Sequence, residues 1–207
     1  MRGSKSNLVM EHKLERLIFF SDAVFAIAIT LLVIEIHPPH FESSNPSAAL
    51  AQLAGIWPSV FGFVLSFLVI GRFWIGHHAS LSGVPSFSPR LLLPNLTMLM
   101  AIAFMPFVTA LMSQNPGNLV AFACYHLFLS LTGLINWWLV SVATSFWPRA
   151  ESGEIWAMQS RSLGVVAGGL TAFGCVFISP PFSPIALASI PLWMRLIRRL
   201  GASRMGH

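Results

Sequence analysis

The chain has 207 residues, of which 55% are hydrophobic and 9% charged, and its net charge is +5. A soluble domain carries about 25% charged residues, so the composition excludes one and fits an integral membrane protein, whose helices need about 20 apolar residues each. The apolar runs are continuous rather than alternating with period two, which argues against a membrane β-barrel and for an all-α fold.

Six apolar segments follow one another, over 14–36, 49–71, 90–112, 118–143, 157–179 and 184–197. The twelve Lys and Arg fall into alternate regions between them. Arg2, Lys5, Lys13 and Arg16 lie at the amino end, and the second connection holds Arg72 and Arg90. Arg149 and Arg161 flank the start of the fifth segment, and Arg195, Arg198, Arg199 and Arg204 lie at the carboxyl end. The connections over 37–48, 113–117 and 180–183 carry none. By the positive-inside rule both termini are cytoplasmic. The basic residues therefore read as topology determinants, and no nucleic-acid partner is expected.

The predicted organisation is a cytoplasmic segment over 1–13, a six-helix transmembrane domain over 14–200 and a cytoplasmic tail over 201–207. This describes a multi-pass protein of the cell's inner (plasma) membrane, with the lipid bilayer as its surroundings. The first run is longer than a signal-peptide core and lacks a small-residue cleavage site, so no cleaved leader is expected.

The first segment, from Arg16 to Glu35, is apolar enough to cross a bilayer yet carries Ser21, Asp22 and Thr30. At about 100° per residue, Ile27, Leu31 and Ile34 share a narrow stripe, and Thr30 lies about 60° from Ile27. Asp22 comes out about 140° from Ile27. A carboxylate inside an apolar span costs about 2.5–3.5 kcal/mol on insertion scales, so it needs a partner or a purpose. Its place opposite the stripe favours a structural anchor over a cation site or proton relay. Arg16 is about 240° round the helix from Asp22, too far for a simple pair on adjacent turns.

In the second segment Gly62 and Ser66, and in the fifth Gly164 and Gly168, have the small-xxx-small spacing that allows close helix approach. Trp74 and His77 lie on the same predicted side of the membrane as Asp22 and are suitable donors for it. His77 and His78 diverge by about 100° on a helix and make a poor metal pair. Pro89 after Ser88 marks a helix start, and Pro94 and Pro106 are expected to bend or open the third span. Trp74, Trp147, Trp156 and Trp193 are placed at the cytoplasmic boundary, where interfacial tryptophan is common. Cys124 and Cys175 read as small buried hydrophobes. His37, His40 and Glu35 sit at the outer mouth of the first span as loop and boundary residues.

No nucleophile elbow, zinc-protease helix, Walker loop or paired intramembrane carboxylates occur, so catalysis finds no support. The Thr-Val-Gly-Tyr-Gly potassium filter is absent too, since the only tyrosine is Tyr125 in Cys124-Tyr125-His126.

The pattern Arg16-x-x-x-Phe20-Ser21-Asp22 at the start of the first helix resembles the signature of the endolysosomal transmembrane potassium-channel family and its bacterial relatives. The six-span layout, with both ends inside, is similar over essentially the whole chain. The resemblance implies a homotetramer in which the first helix of each subunit lines the pore, without a re-entrant filter loop. It puts Ile27 at the main hydrophobic constriction, with Leu31 and Ile34 as further aliphatic rings. Thr30 matches a hydroxyl position tied to potassium preference. Ala26 stands where some members have a second hydroxyl, which implies a weaker preference for potassium over sodium. Ser21 and Asp22 would join a polar network, with Trp74 and His77 as the matching donors. Monovalent cations would be the ligands, K⁺ the permeating ion, and no cofactor is implied. The rival readings are a proton-coupled or other secondary transporter using Asp22, and a membrane enzyme or assembly subunit centred on His77 and His78.

Overall fold

The computed structural model describes residues 2–41, 45–148 and 151–205, with side chains placed between 10 and 201 in those ranges. It is all-α. The helices are α1 (Arg2–Ile34), α2 (Pro46–Gly55), α3 (Trp57–Ser82), α4 (Leu92–Ser113), α5 (Leu119–Thr144), α6 (Ser152–Val176) and α7 (Ile190–Met205). Short 3-10 stretches at Pro89–Leu91 and Pro180–Ser189 precede α4 and α7.

Among the described residues four stretches are long and apolar enough to cross a membrane: Met10–Ile34, Pro46–Ser82, Pro89–Ser113 and Leu119–Thr144. The third and fourth match the predicted segments to within a residue or two. The first helix starts at Arg2, well before the segment drawn from 14, because hydropathy marks membrane depth whereas Lys and Glu continue a helix readily. For the same reason α3 runs on to Ser82, so that Arg72 lies on a helix rather than in a connection, and the same helix carries Trp74, His77 and His78.

Capping and proline chemistry set the breaks. Asn45 caps α2 by accepting from the Ser47 N–H at 3.1 Å, with Pro46 in the first turn. Pro58 has no N–H to continue the α2 ladder, so the chain tightens at Ile56, which donates to Leu53 O, and α3 begins at Trp57. Ser88 accepts from the Arg90 N–H and starts the stretch into α4. Gly117, at φ +80°, supplies the left-handed residue between α4 and α5, and Asn118 then caps α5. α4 stays a single helix through Pro106, where Ile102 O loses its usual donor. The sixth predicted segment is divided: Pro180, Pro181 and Pro184 hold its first half in 3-10 geometry before α7.

α1 packs on α3 and α4, α4 on α5, α5 on α6, and α6 on α7. The core centres on Met98, Ile102, Met105, Tyr125 and Leu129, joined by Phe25, Ala28 and Leu32 of α1. A Cβ on Gly62 would meet Ser113 Cβ at 3.0 Å, and Cβ atoms on Gly164 and Gly168 would overlap Met194 and Ile190. The small residues thus set the α3–α4 and α6–α7 approaches. Cys124 and Cys175 are free and half-buried.

Burial is uneven. In the most apolar window of each stretch, 56% of α4 and 50% of α5 are buried, against 28% of α1 and 17% of the α2–α3 pair. The outer helices of the chain leave most of their apolar surface uncovered.

Candidate functional site

Six residues of α1 form its inward face: Leu14, Leu17, Ser21, Phe25, Ala28 and Leu32, spaced three or four apart and all buried. That spacing winds one stripe along a helix, so everything off it is turned from the core. Ile27, Leu31 and Ile34 are 58%, 40% and 66% exposed. Exposure extends beyond this stripe to Phe19, Ala23, Ala26, Thr30 and Val33. The Thr30 hydroxyl donates to Ile27 O at 2.8 Å, within its own helix.

The inward face is tied down by a buried polar chain through three helices. His77 Nε2 on α3 donates to Asn95 Oδ1 on α4 at 2.7 Å. Asn95 Nδ2 donates to Ser21 Oγ at 3.0 Å, and Ser21 in turn donates to Leu17 O at 2.8 Å. Each proton has one acceptor in this order, which places the His77 proton on Nε2. The Phe25 ring packs 5.3 Å from the His77 ring. Ser21, His77 and Asn95 are all buried, so an unmade bond here would leave a polar group without water.

Asp22 lies on the flank of α1 away from Ile27 and is half-buried. The Trp74 indole N–H donates to Asp22 Oδ1 at 2.8 Å, and the Trp74 ring lies 5.9 Å from that of His78. Of the two predicted donors, Trp74 reaches the carboxylate, whereas His77 turns to Asn95. Arg16 and Phe20 are exposed on the outer arc, and Arg16 makes no ion pair with Asp22 among the described residues. His77 and His78 diverge, one buried and one exposed.

Asn95 is the member of this network that the reading of the sequence missed. The signal was present: an amide in the apolar run Leu92-Leu-Pro-Asn95-Leu deserves the same question as Asp22. A second polar layer was missed as well. Thr109 Oγ1 lies 2.7 Å from Ser66 Oγ, which lies 3.1 Å from the Tyr125 hydroxyl, joining α4, α3 and α5.

The tryptophans expected at the interface direct their N–H groups between helices. Besides Trp74, Trp147 donates to Ser80 O at 3.1 Å, Trp156 to Arg198 O at 3.2 Å and Trp193 to Thr171 Oγ1 at 3.1 Å.

The chain thus has an α1 fixed on one side by hydrogen bonds and open, apolar and hydroxyl-bearing on the other. Residues 16–106 match the family described as the endosomal/lysosomal potassium channel TMEM175. A potassium channel of Streptomyces collinus is 35% identical over 183 residues, covering 84% of this chain and 87% of that one. A potassium channel of Chamaesiphon minutus is 34% identical over 167 residues, with 77% and 82% coverage. The fold superposes, at TM-score 0.77 and 29% identity, on the crystal structure of a lysosomal potassium-selective channel TMEM175 homolog from Chamaesiphon minutus, covering 91% of this chain and 99% of that one. The chain belongs to the TMEM175 family.

Proposed function

We propose that this protein is a potassium-permeable membrane channel whose pore is lined by the first helices of four copies. Its family is one of ion channels rather than enzymes, and relatives that align over most of its length are named potassium channels. The observation that carries the pore assignment is the outward stripe Ile27–Leu31–Ile34 on a helix whose other side is pinned by Ser21, Asn95 and His77.

Four such stripes around an axis make rings of branched aliphatic side chains. Narrow apolar rings gate by dewetting, so a permeating ion must shed part of its shell. Potassium holds its water less tightly than sodium, and a tight ring favours it without a carbonyl filter. Thr30 donates its proton to its own backbone, so it presents oxygen lone pairs outward, the right polarity to replace lost water around a cation. Ala26, without a hydroxyl, adds no second such site. The exposed arc of α1 is wider than a pore stripe requires, and in a tetramer the remainder faces the adjacent α1 helices.

In this reading the chain crosses the membrane six times with both ends in the cytoplasm, α6 and α7 completing the four strongly apolar stretches. Residues 14–200 form the channel domain, flanked by cytoplasmic segments over 1–13 and 201–207. The setting is the inner (plasma) membrane, and the ligand is K⁺ in transit with no bound cofactor. Recording from purified protein in a planar bilayer, with potassium on one side and sodium on the other, tests the function. Unitary currents reversing toward the potassium equilibrium potential are expected. Saturable flux coupled to a proton gradient, without unitary currents, would replace the channel by a carrier.

A further inference from the structure

Away from the pore stripe, two arginines on different helices converge without an acidic partner. Arg72 of α3 and Arg161 of α6 line one cleft with Asn136 and Ser162, and their like charges act on each other across it. Both are exposed, and neither makes an ion pair or hydrogen bond among the described residues. Asn136 is 6% exposed and donates Nδ2 to Ser162 Oγ at 2.7 Å, which leaves its buried Oδ1 without a partner. Two cations and an orphaned acceptor in one place form an incomplete site. The cleft holds only about 30 Å³, so an anion would sit at its mouth rather than inside it.

The cleft opens into an apolar groove of about 540 Å³ between α3 and the Pro180–Met194 region, the two sharing Arg72, Phe73, Val165 and Met194. The walls of the groove include Leu65, Leu68, Ile185 and Pro191, without an acidic side chain. An apolar channel ending at paired guanidinium groups has the form of an amphiphile with an anionic head. On the proposed six-span topology Arg72 and Arg161 belong to the basic residues gathered on the cytoplasmic side, where anionic lipid headgroups meet basic pockets between helices. We infer that this cleft and groove hold one anionic glycerophospholipid of that leaflet. Its phosphate lies between Arg72 and Arg161, a headgroup hydroxyl reaches Asn136 Oδ1, and an acyl chain lies along Leu65 and Leu68. Arginine suits this task because its planar donors match phosphate oxygens.

The test is a titration of the purified full-length assembly with phosphatidylglycerol or phosphatidylcholine, with bound lipid counted by native mass spectrometry. Phosphatidylglycerol should be retained about thirtyfold more strongly, the scale set by two arginines at a charged interface. The Arg72→Gln/Arg161→Gln double variant should lose that preference, and Arg161→Gln alone should lose part of it. Leu68→Trp, which fills the groove and leaves both charges, should weaken both lipids. Equal retention of the two lipids, or a preference that survives the double variant, would overturn the inference. So would displacement of the lipid by glycerol phosphate at equal concentration, which would make this a site for a free anion. Dissociation of the assembly by Leu68→Trp with lipid binding unchanged would overturn it too, by showing the groove to be a contact between copies.

Discussion

Trp74 on α3 donates its indole N–H to Asp22 on α1 at 2.8 Å, so the one carboxylate well inside the first apolar segment is engaged within its own chain. Ile27 lies about 140° round the helix from it. The acid therefore fixes the rotation of α1, and that rotation decides which residues point outward.

Removing this bond should loosen the helix without closing the conduction path. Asp22→Asn keeps an acceptor but loses the charge, and Trp74→Phe loses the donor. Trp74→Phe is expected to cost up to about 1.5–3 kcal/mol, the range for a hydrogen bond to a charged group, and Asp22→Asn less, because the amide oxygen still accepts from the indole. Thermal unfolding in detergent reads the loss, and single-channel recording should still show currents in the folded fraction. Complete loss of flux in well-folded Asp22→Asn protein would favour the carrier mechanism.

Asn95 is a sharper test of the anchor. Asn95→Leu strands His77 Nε2 in the core, at about 1–3 kcal/mol for a buried group left unpaired, and breaks the bond to Ser21 Oγ, which keeps only its bond to Leu17 O. Ser21→Ala removes one partner of Asn95 and leaves its bond to His77 in place, so its cost should lie at the low end of that range. Unfolding measurements should therefore rank Asn95→Leu as clearly the more damaging. Equal stability of the two variants would mean the chain of bonds does not hold α1.

The angles on α1 between Asp22 and the stripe of Ile27, Leu31 and Ile34 were legible in the sequence because helix geometry fixes them from spacing alone, whereas the inward face of Leu14, Leu17, Phe25, Ala28 and Leu32 was not read. Ile27, Leu31 and Ile34 had to lie together, and Asp22 away from them. The strongly apolar stretches were legible for a similar reason, since membrane thickness sets their length. What spacing cannot give is which helices meet. The pairing of His77 with Asn95 rather than Asp22 depends on the α3–α4 contact, and so does the close approach of Gly62 to Ser113. The divided sixth segment depends on Pro180, Pro181 and Pro184 favouring 3-10 geometry, where hydropathy sees one apolar run.

Ile27→Asn tests the proposed constriction. An amide ring holds water where an isoleucine ring expels it, so unitary conductance should rise and the preference for potassium should fall. Unchanged conductance and selectivity would remove Ile27 from the narrow point.

Thr30 makes a separate contribution. Thr30→Val keeps the shape and removes the oxygen, so the potassium-to-sodium permeability ratio from reversal potentials should drop. Thr30→Ser should retain most of it. A ratio insensitive to Thr30→Val would leave the apolar rings as the whole source of selectivity.

The orientation of α1 is tested most directly by cysteine accessibility in conducting channels, after Cys124 and Cys175 are replaced by serine. A small charged thiol reagent should alter the current through Ile27→Cys, Leu31→Cys and Ile34→Cys. It should leave Ala28→Cys and Leu32→Cys, on the buried face, untouched. Modification at 28 and 32 with protection at 27, 31 and 34 would contradict the assignment of the first helix to the pore.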